Sequence, residues 1–412
     1  MSKVIRDSGL VKQPLVTIVT PSFNQGHFIR ATIESVLSQD YPNIEYIIMD
    51  GGSKDSTAAV AAEYSSRLKF IQEKDRGQSH AINKGFQMAK GEIVSWLNSD
   101  DVILPGAVSL AAGAFEQDPL LGAVYGEGYL IDYEGKVKNR FPATEPFNLW
   151  KLVYLSDYIL QQTVYFRRSV FGELGFLDES LNWGMDWDIL IRIGQRYPMR
   201  YLPEYMGSLR EYGEAKTFSG GGKRFRELAG ILRRHGTMRY PPGYFTYGLD
   251  TYQKICCDFL DRISPAFLNG PSKKLQQVLS YVVHMQIARI LRESQGLYTD
   301  GWASRRLLYM LPAGEGTVSV CGSLPNLGDG LRGQRLTVTS GGETLAARDI
   351  HFGDFEIEIP GGSGNHQPLS IEITASKFVV PSKLGLGPDP RRLAYMLKSI
   401  ERTKHSVTSA RA

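Results

Sequence analysis

Cysteine is scarce in this sequence: Cys256, Cys257 and Cys321 are the only three in 412 residues. Two adjacent thiols and one distant one supply neither a disulfide framework nor a metal-ligand spacing, the usage of a protein kept in a reducing compartment. No apolar run reaches the ~18 residues of a membrane-spanning helix, so any membrane association is expected to be peripheral. Residues 1–13 have no apolar stretch of the kind that a secretory signal needs. Charge of one sign is also lacking. Lys plus Arg number 47 against 43 Asp plus Glu, and a net +4 gives no electrostatic footprint for nucleic acid. No G-x-G-x-x-G follows the first predicted strand and no G-x-x-x-x-G-K-[ST] occurs anywhere. A dinucleotide-binding dehydrogenase and a P-loop NTPase are both disfavoured.

What is present is ordinary in bulk and patterned in detail. A chain of this length, 42% hydrophobic and 22% charged, has room for two or three domains with real cores. Short β-branched runs at 15–20, 44–49, 68–72 and 93–97 read as strands. Between them, apolar residues at helical spacing predict helices over 28–38, 57–64 and 79–90. Strand and helix alternate through the first hundred residues, which predicts a parallel, doubly wound half-sheet of the α/β class. Each strand ends in polar residues: Asn24, Asp50 with Asp55, Asp75 with Arg76, and Asp100 with Asp101. Ligands bind at that edge of such sheets. The apolar run Ile93 to Leu97 feeds straight into Asn98, Ser99, Asp100 and Asp101. Adjacent carboxylates there need a cation or donor groups, and hard oxygen ligands suit Mg²⁺ or Mn²⁺ holding a diphosphate. The plainer alternative is a polar turn in which Asp100 or Asp101 caps a helix starting near Pro105.

The runs Val19-Thr20-Pro21-Ser22-Phe23-Asn24, Met49-Asp50-Gly51-Gly52-Ser53-Lys54-Asp55-Ser56-Thr57, Asn83-Lys84-Gly85 and Leu97-Asn98-Ser99-Asp100-Asp101 come in that order. Together they resemble family 2 glycosyltransferases over residues 14 to about 235. The resemblance implies a GT-A, Rossmann-like domain that takes a nucleotide-diphosphate sugar as donor. Pro21, Ser22 and Asn24 would then flank the base, with Asp50 accepting from base or ribose. Asp75 and Arg76 would contact the base from the third strand, and Lys84 would reach the diphosphate. Asn98 and Ser99 would line the donor site. The family's metal motif is usually Asp-x-Asp. Here an amide, Asn98, takes the first place, leaving Asp100 as the ligand for Mn²⁺ or Mg²⁺ and Asp101 as its support or a cap.

Further on, 123–141 reads as strands of an antiparallel ribbon outside the core. By resemblance, Gln161 borders the sugar and acceptor, and so does Trp187. Gly184-Met185-Asp186-Trp187-Asp188 opens a helix, and the matching aspartate in inverting relatives is the general base, here Asp186. Many relatives carry a histidine where Tyr212 stands, before Lys216 and Thr217, which would neighbour phosphate. A basic run from Lys223 to Arg239 surrounds one apolar helix, either as a solvated face or as a contact for anionic lipid.

The expected layout is a glycosyltransferase domain at 14–240, a helical segment at 241–311, a small antiparallel β-sandwich at 312–381 and a last helix within 388–402. The expected activity is transfer to a glycan or lipid-linked glycan acceptor in surface polysaccharide synthesis. The expected place is the cytoplasm, with peripheral contact at the inner membrane face. The rivals are a non-catalytic nucleotide- or glycan-binding relative and a nucleotidyltransferase. The second of these would want a glycine-rich loop with Lys or Arg where Ser22-Phe23-Asn24-Gln25 stands.

Overall fold

The computed structural model describes residues 13–212, 220–263, 269–326, 331–361 and 367–403. They fall into two compact units. The first is drawn from 1–147, 158–189 and 198–218, the second from 148–157, 190–197 and 219–412.

In the first unit β1 (Val16–Ser22), α1 (Ile29–Leu37), β2 (Ile44–Asp50), α2 (Thr57–Ala62), β3 (Lys69–Gln72), α3 (Gln78–Met88) and β4 (Ile93–Trp96) alternate as the sequence predicts. The strands pair in parallel in the order β3-β2-β1-β4, with Val16 opposite both Ile44 and Ile93. Every residue of β1 is buried, as befits a strand with neighbours on both sides and helices on both faces. The strand continues through Pro21 instead of stopping there. Its ladder with β4 ends at Val19 opposite Trp96, so the N–H that Pro21 lacks has no partner to miss. Gly85 lets α3 lie close on β1, since a Cβ there would sit 2.4 Å from Val19 Cγ1.

The chain then adds β5 (Val102–Ile103), α4 (Ala107–Gln117), β6 (Ala123–Ile131), β7 (Val137–Arg140), α5 (Leu149–Tyr154), β8 (Tyr165–Arg167), α6 (Val170–Leu174), α7 (Met185–Arg196) and β9 (Met199–Arg210). The sheet continues β4-β8-β6-β9-β5, now mixed in direction, with β7 paired on β6. Parallel first half and mixed second half together are the GT-A arrangement. β6 corrects the sequence reading: it is one buried strand, parallel to β9 and antiparallel to β8, and only its far end forms a ribbon with β7. The charge that argued against a core position, Glu127, is buried but neutralised. Arg140 donates to it at 2.9 and 2.6 Å, and Tyr201 donates as well. Trp96 stacks on Phe166 with ring centroids 5.4 Å apart, a pairing that contributes ~1 kcal/mol beyond its buried area.

The second unit contains α8 (Gly221–His235), α9 (Pro242–Ile263) and α10 (Asn269–Glu293). α8 buries Phe225, Leu228, Ala229, Ile231 and Leu232 and turns its arginines outward; Arg233 lies 5.0 Å over the Tyr244 ring. The helical segment ends at Glu293, short of the expected 311. β10 (Trp302–Ala303) and β11 (Arg306–Leu311) already belong to a sandwich with β12 (Thr317–Leu324), β13 (Gly333–Ser340), β14 (Glu343–His351), β15 (Gly353–Pro360), β16 (Leu369–Ala375) and β17 (Tyr395–Thr403). Its sheets run β10-β17-β12-β15 and β11-β16-β13-β14. The last helix expected within 388–402 is instead strand β17, and the sandwich extends to 403. A bulge explains the misreading. Leu397 faces Gly322 while Ser399 faces Cys321, so Lys398 is an extra residue. That insertion brings Tyr395 and Ile400, an odd number of positions apart, to the same buried face.

Candidate functional site

The loops after β1 and β2 are laced together. Asn24, in the left-handed region at φ 52°, donates its N–H to Ser53 Oγ at 2.7 Å and accepts from Lys54 N–H at 3.0 Å through Oδ1. Asp55 accepts from Gly26 N–H at 2.8 Å and from Thr57 N–H at 3.0 Å. Asp50 is buried and turns back on its own loop. It accepts from the N–H groups of Gly52 and Ser53 at 3.1 and 2.8 Å, from Ser53 Oγ at 2.5 Å and from Gln72 Nε2 at 2.9 Å. Beside it, Pro21 and Ser22 are buried, and the Ser22 hydroxyl has no partner among the described residues. Asp75 lies against the same loops, because a Cβ on Gly51 would come 2.6 Å from its Oδ2.

Two predicted cations are engaged elsewhere. Arg76 pairs with Glu179 at 2.5 Å and Lys84 with Glu73 at 2.5 Å, so neither is held ready for a phosphate in this state.

The end of β4 is built around Asp101 more than around Asp100. Asp101 is 1% exposed, and three donors from three places close on it: Arg210 N–H at 2.8 Å, Gln162 Nε2 at 2.6 Å and Asn98 Nδ2 at 3.1 Å. Thr32 of α1 donates to the carbonyls of Ser99 and Asp101 at 3.0 and 2.8 Å, which fixes the turn. Neither aspartate caps the next helix, whose N-cap is Gly106. Asp100 presents its carboxylate to Tyr212, whose hydroxyl donates at 2.8 Å. Tyr212 itself packs on Phe28, centroids 5.1 Å apart, and Phe28 packs on Tyr133 at 4.9 Å. The guanidinium of Arg210 donates to the carbonyls of Asp100, Asp132 and Tyr133 and to neither carboxylate.

Two adjacent carboxylates taken out of water without an ion pair should resist ionising, and they do. Burial raises Asp100 above the usual carboxylate range, although the Tyr212 hydroxyl opposes this. Burial and then the neighbouring Asp100 push Asp101 up to about 8. Burial and the facing Asp100 raise the Tyr212 hydroxyl too, so it remains a donor. Among the described residues no three His, Cys, Asp or Glu side chains converge. The residues nonetheless fit a divalent cation of the diphosphate-bound kind. Asp100 is an oxygen donor whose carboxylate meets the Tyr212 hydroxyl and no cationic side chain directly among the described residues, and the phosphates of a donor would complete the shell.

α3 joins this end of β4 to the start of α7. Gln78 Nε2 donates to Asn98 Oδ1 at 2.7 Å, and Ser79 Oγ lies 2.7 Å from Met185 Sδ. Asn83 grips the approach to α7 through both Leu177 backbone groups at 3.0 Å. Asp186 therefore stands in the first turn of α7, half-buried, its Oδ1 accepting from Trp187 N–H at 2.9 Å. The positive end of the helix favours its ionised form. Trp187 and Asp188 are buried behind it.

Gln161 lies in a single 3₁₀ turn with Gln162 and Thr163. Its Nε2 donates to Trp96 carbonyl at 2.8 Å, while its buried Oε1 has no partner among the described residues. The turn can lie this close because Gly207 has no Cβ; one would sit 2.7 Å from the Gln162 carbonyl oxygen. Sequence reasoning gave no role to Gln162, Gln78 or Arg210. The signal was a pair of glutamines inside the apolar run Ile159 to Phe166. Lys216 and Thr217 lie outside the described residues.

The sequence model described as Glycosyl transferase family 2 matches residues 17–174. An uncharacterized glycosyltransferase of Rickettsia typhi is 31% identical over 183 residues, 43% of this chain and 57% of that protein. Chondroitin synthase of Escherichia coli is 28% identical over 48% of this chain and 29% of its own length. O-antigen biosynthesis protein RfbC of Myxococcus xanthus is 26% identical over 54% of this chain and 18% of its own length. The matches to the Rickettsia relatives span 27% to 58% of those proteins. Among solved structures, Staphylococcus aureus TarS 1-349 in complex with UDP-GlcNAc aligns with TM-score 0.46 at 16% identity. That alignment covers 67% of this chain and 89% of that one.

Proposed function

We propose that this chain, whose residues 17–174 belong to glycosyl transferase family 2, is an inverting glycosyltransferase using a nucleotide-diphosphate sugar. The acceptor would be a hydroxyl of a glycan or lipid-linked glycan in surface polysaccharide synthesis. The observation that carries the reading is the bridge from Asn98 through Gln78 and Ser79 to Met185. Two adjacent residues in the first turn of α3 thereby touch the amide two positions before Asp100 and the residue just before Asp186.

In this reading the laced loops after β1 and β2 form the nucleoside pocket, with Pro21, Ser22 and Asn24 on one wall and Asp50 and Asp75 on the other. Asp50 holds the second loop in shape through its own backbone bonds. The unpartnered hydroxyl of Ser22 is the group left to meet a ligand. Arg76 and Lys84 would leave their carboxylates for the donor only at the cost of an exposed ion pair, which is worth about 0–1 kcal/mol. Asp186 removes the proton from the acceptor hydroxyl as that oxygen attacks the anomeric carbon and the nucleoside diphosphate departs. Gln161 and Trp187 border the sugar, and the orphan Oε1 of Gln161 is an acceptor for one of its hydroxyls. Asp100, with Asn98 and Ser99 shaping the turn, would hold a Mn²⁺ or Mg²⁺ ion. Bound there, the ion would supply positive charge to the leaving diphosphate.

A lipid-linked acceptor would bring the chain to the inner face of the membrane, where the outward arginines of α8 would meet anionic headgroups. No helix among the described residues is long and apolar enough to cross a bilayer.

The test is thermal unfolding with UDP, GDP, TDP and CMP, each with Mn²⁺ or EDTA, followed by transfer assays. One nucleotide should raise the midpoint by mass action, and more so with Mn²⁺. Asp186→Asn should keep that shift while transfer falls about a hundred- to ten-thousand-fold. No shift with any nucleotide would favour a glycan-binding relative, and full transfer by Asp186→Asn would remove the base.

A further inference from the structure

α9 and α10 form an antiparallel hairpin. Gln276 Nε2 on α10 reaches back to Asp261 at 2.7 Å and to the Cys257 carbonyl at 3.4 Å. α10 packs on α9 with its less exposed stripe: Leu279, Val283, Ile287 and Ile290. The same helix carries a second apolar stripe that lies half open to solvent. Leu275, Val278, Val282 and Met285 are 48–55% exposed, at steps of three, four and three residues. α9 repeats the pattern. Phe245, Tyr252, Ile255 and Phe259 are 41–59% exposed, at steps of seven, three and four, with Tyr252 also meeting Phe225 of α8 edge-on, ring centroids 5.8 Å apart.

A helix apolar on two sides needs a neighbour on each. Steps alternating between three and four average 3.5 residues, the repeat that seats side chains into the holes of a facing helix. The two helices differ in charge: α9 carries Asp250, Asp258 and Asp261 against Lys254 and Arg262, while α10 carries Lys273, Lys274, Arg289 and Arg292 against Glu293, so α9 of one copy and α10 of another are of opposite net sign.

From these stripes we infer that the α9–α10 hairpin is the self-association surface of the chain, where two copies meet as a helical bundle. The area fits. Half-exposed aromatic and aliphatic side chains at these eight positions, with Tyr281 beside them, hide roughly 700–800 Å² per copy, close to what a stable interface takes from each partner. A two-fold arrangement also lets one patch serve as its own complement.

The experiment is sedimentation equilibrium of the full chain at micromolar concentration. It compares wild type with Val278→Glu/Val282→Glu, Ile255→Glu/Phe259→Glu and the remote exposed control Leu386→Glu. Wild type and control should run at twice the chain mass. Each hairpin variant should run as a monomer, with a dimer dissociation constant raised at least about a hundredfold. A monomeric wild type would overturn the inference, as would a dimer that survives both pairs of substitutions. A monomer that co-sediments with anionic vesicles, and loses that binding in the hairpin variants, would also overturn it by assigning the face to lipid. Circular dichroism checks helix content. If a variant unfolds, wild-type amide exchange decides: protection of α10 that rises with protein concentration supports the dimer, and protection independent of concentration refutes it.

Discussion

Replacing Asp101 tests whether the end of β4 is held by this buried carboxylate. The side chain is 1% exposed and accepts three hydrogen bonds, from Arg210 N–H, Gln162 and Asn98. Asp101→Ala removes the acceptor and leaves all three donors in a space too polar to stay dry and too small to repack. Each orphaned donor costs about 1–3 kcal/mol, so losing the acceptor for all three should cost about 3–9 kcal/mol. Part of that is returned because the wild-type chain must take up a proton at Asp101 on folding at this pH and the variant need not, which argues for the lower end. Asp101→Asn is the informative companion. Its amide oxygen can keep the two donors that share one carboxylate oxygen, Gln162 and Asn98, while its NH₂ faces the Arg210 N–H. One donor is then lost instead of three, and the expected cost is about 1–2 kcal/mol. Urea unfolding at pH 7.5, followed by tryptophan emission, gives both values as shifts in midpoint at constant slope. If Asp101→Ala unfolds at the same urea concentration as wild type, the turn is held by something else and the reasoning fails. An Asn variant that loses as much as the Ala variant would mean that the oxygen facing Arg210 N–H, not the one shared by Gln162 and Asn98, carries the turn.

Stability should also fall as pH rises. The unfolded chain releases the Asp101 proton near pH 4 and the folded chain keeps it to about 8, so between those values the folded state binds more protons and loses ground with every step upward. In EDTA the unfolding midpoint should be higher at pH 5.5 than at pH 7.5, and Asp101→Asn should flatten the difference; a midpoint that climbs with pH would contradict it. Tyr212→Phe removes the one hydroxyl that donates to Asp100, at 2.8 Å. It should cost about 1 kcal/mol in EDTA and enlarge the Mn²⁺-dependent part of the nucleotide shift. Loss of that part would instead place the phenol oxygen itself on the ion. Gly207→Ala drives a Cβ to 2.7 Å from the Gln162 carbonyl and should cost about 1–3 kcal/mol, while Gly113→Ala, with nothing within 4 Å, should be neutral or stabilising; calorimetry compares them.

The parallel half of the first unit was legible because its signals are local. β-branched runs, helical spacing and polar strand ends name each element without help from distant sequence, and β1 to β4 follow them within a residue or two. The misreadings occur where distant partners override the local pattern. Glu127 and two glycines made β6 look like surface, yet Arg140 neutralises the charge and Gly128 faces Gly207 across the ladder with β9. A single inserted residue, Lys398, turned the period of β17 from two towards that of a helix, and only the opposing strand β12 reveals it. The site divides the same way. Asp100 and Asp186 could be placed because each closes or opens a recognisable element, β4 and α7. Asp101 could be named but not weighed, since its importance comes from Gln162 and Arg210, which lie 61 and 109 residues away in sequence. Even Asp50, singled out for a ligand, spends most of its acceptor capacity on Gly52, Ser53 and Gln72. A carboxylate at the edge of a sheet therefore marks the site, and only its hydrogen-bond partners show whether it faces the ligand or holds the loop that does.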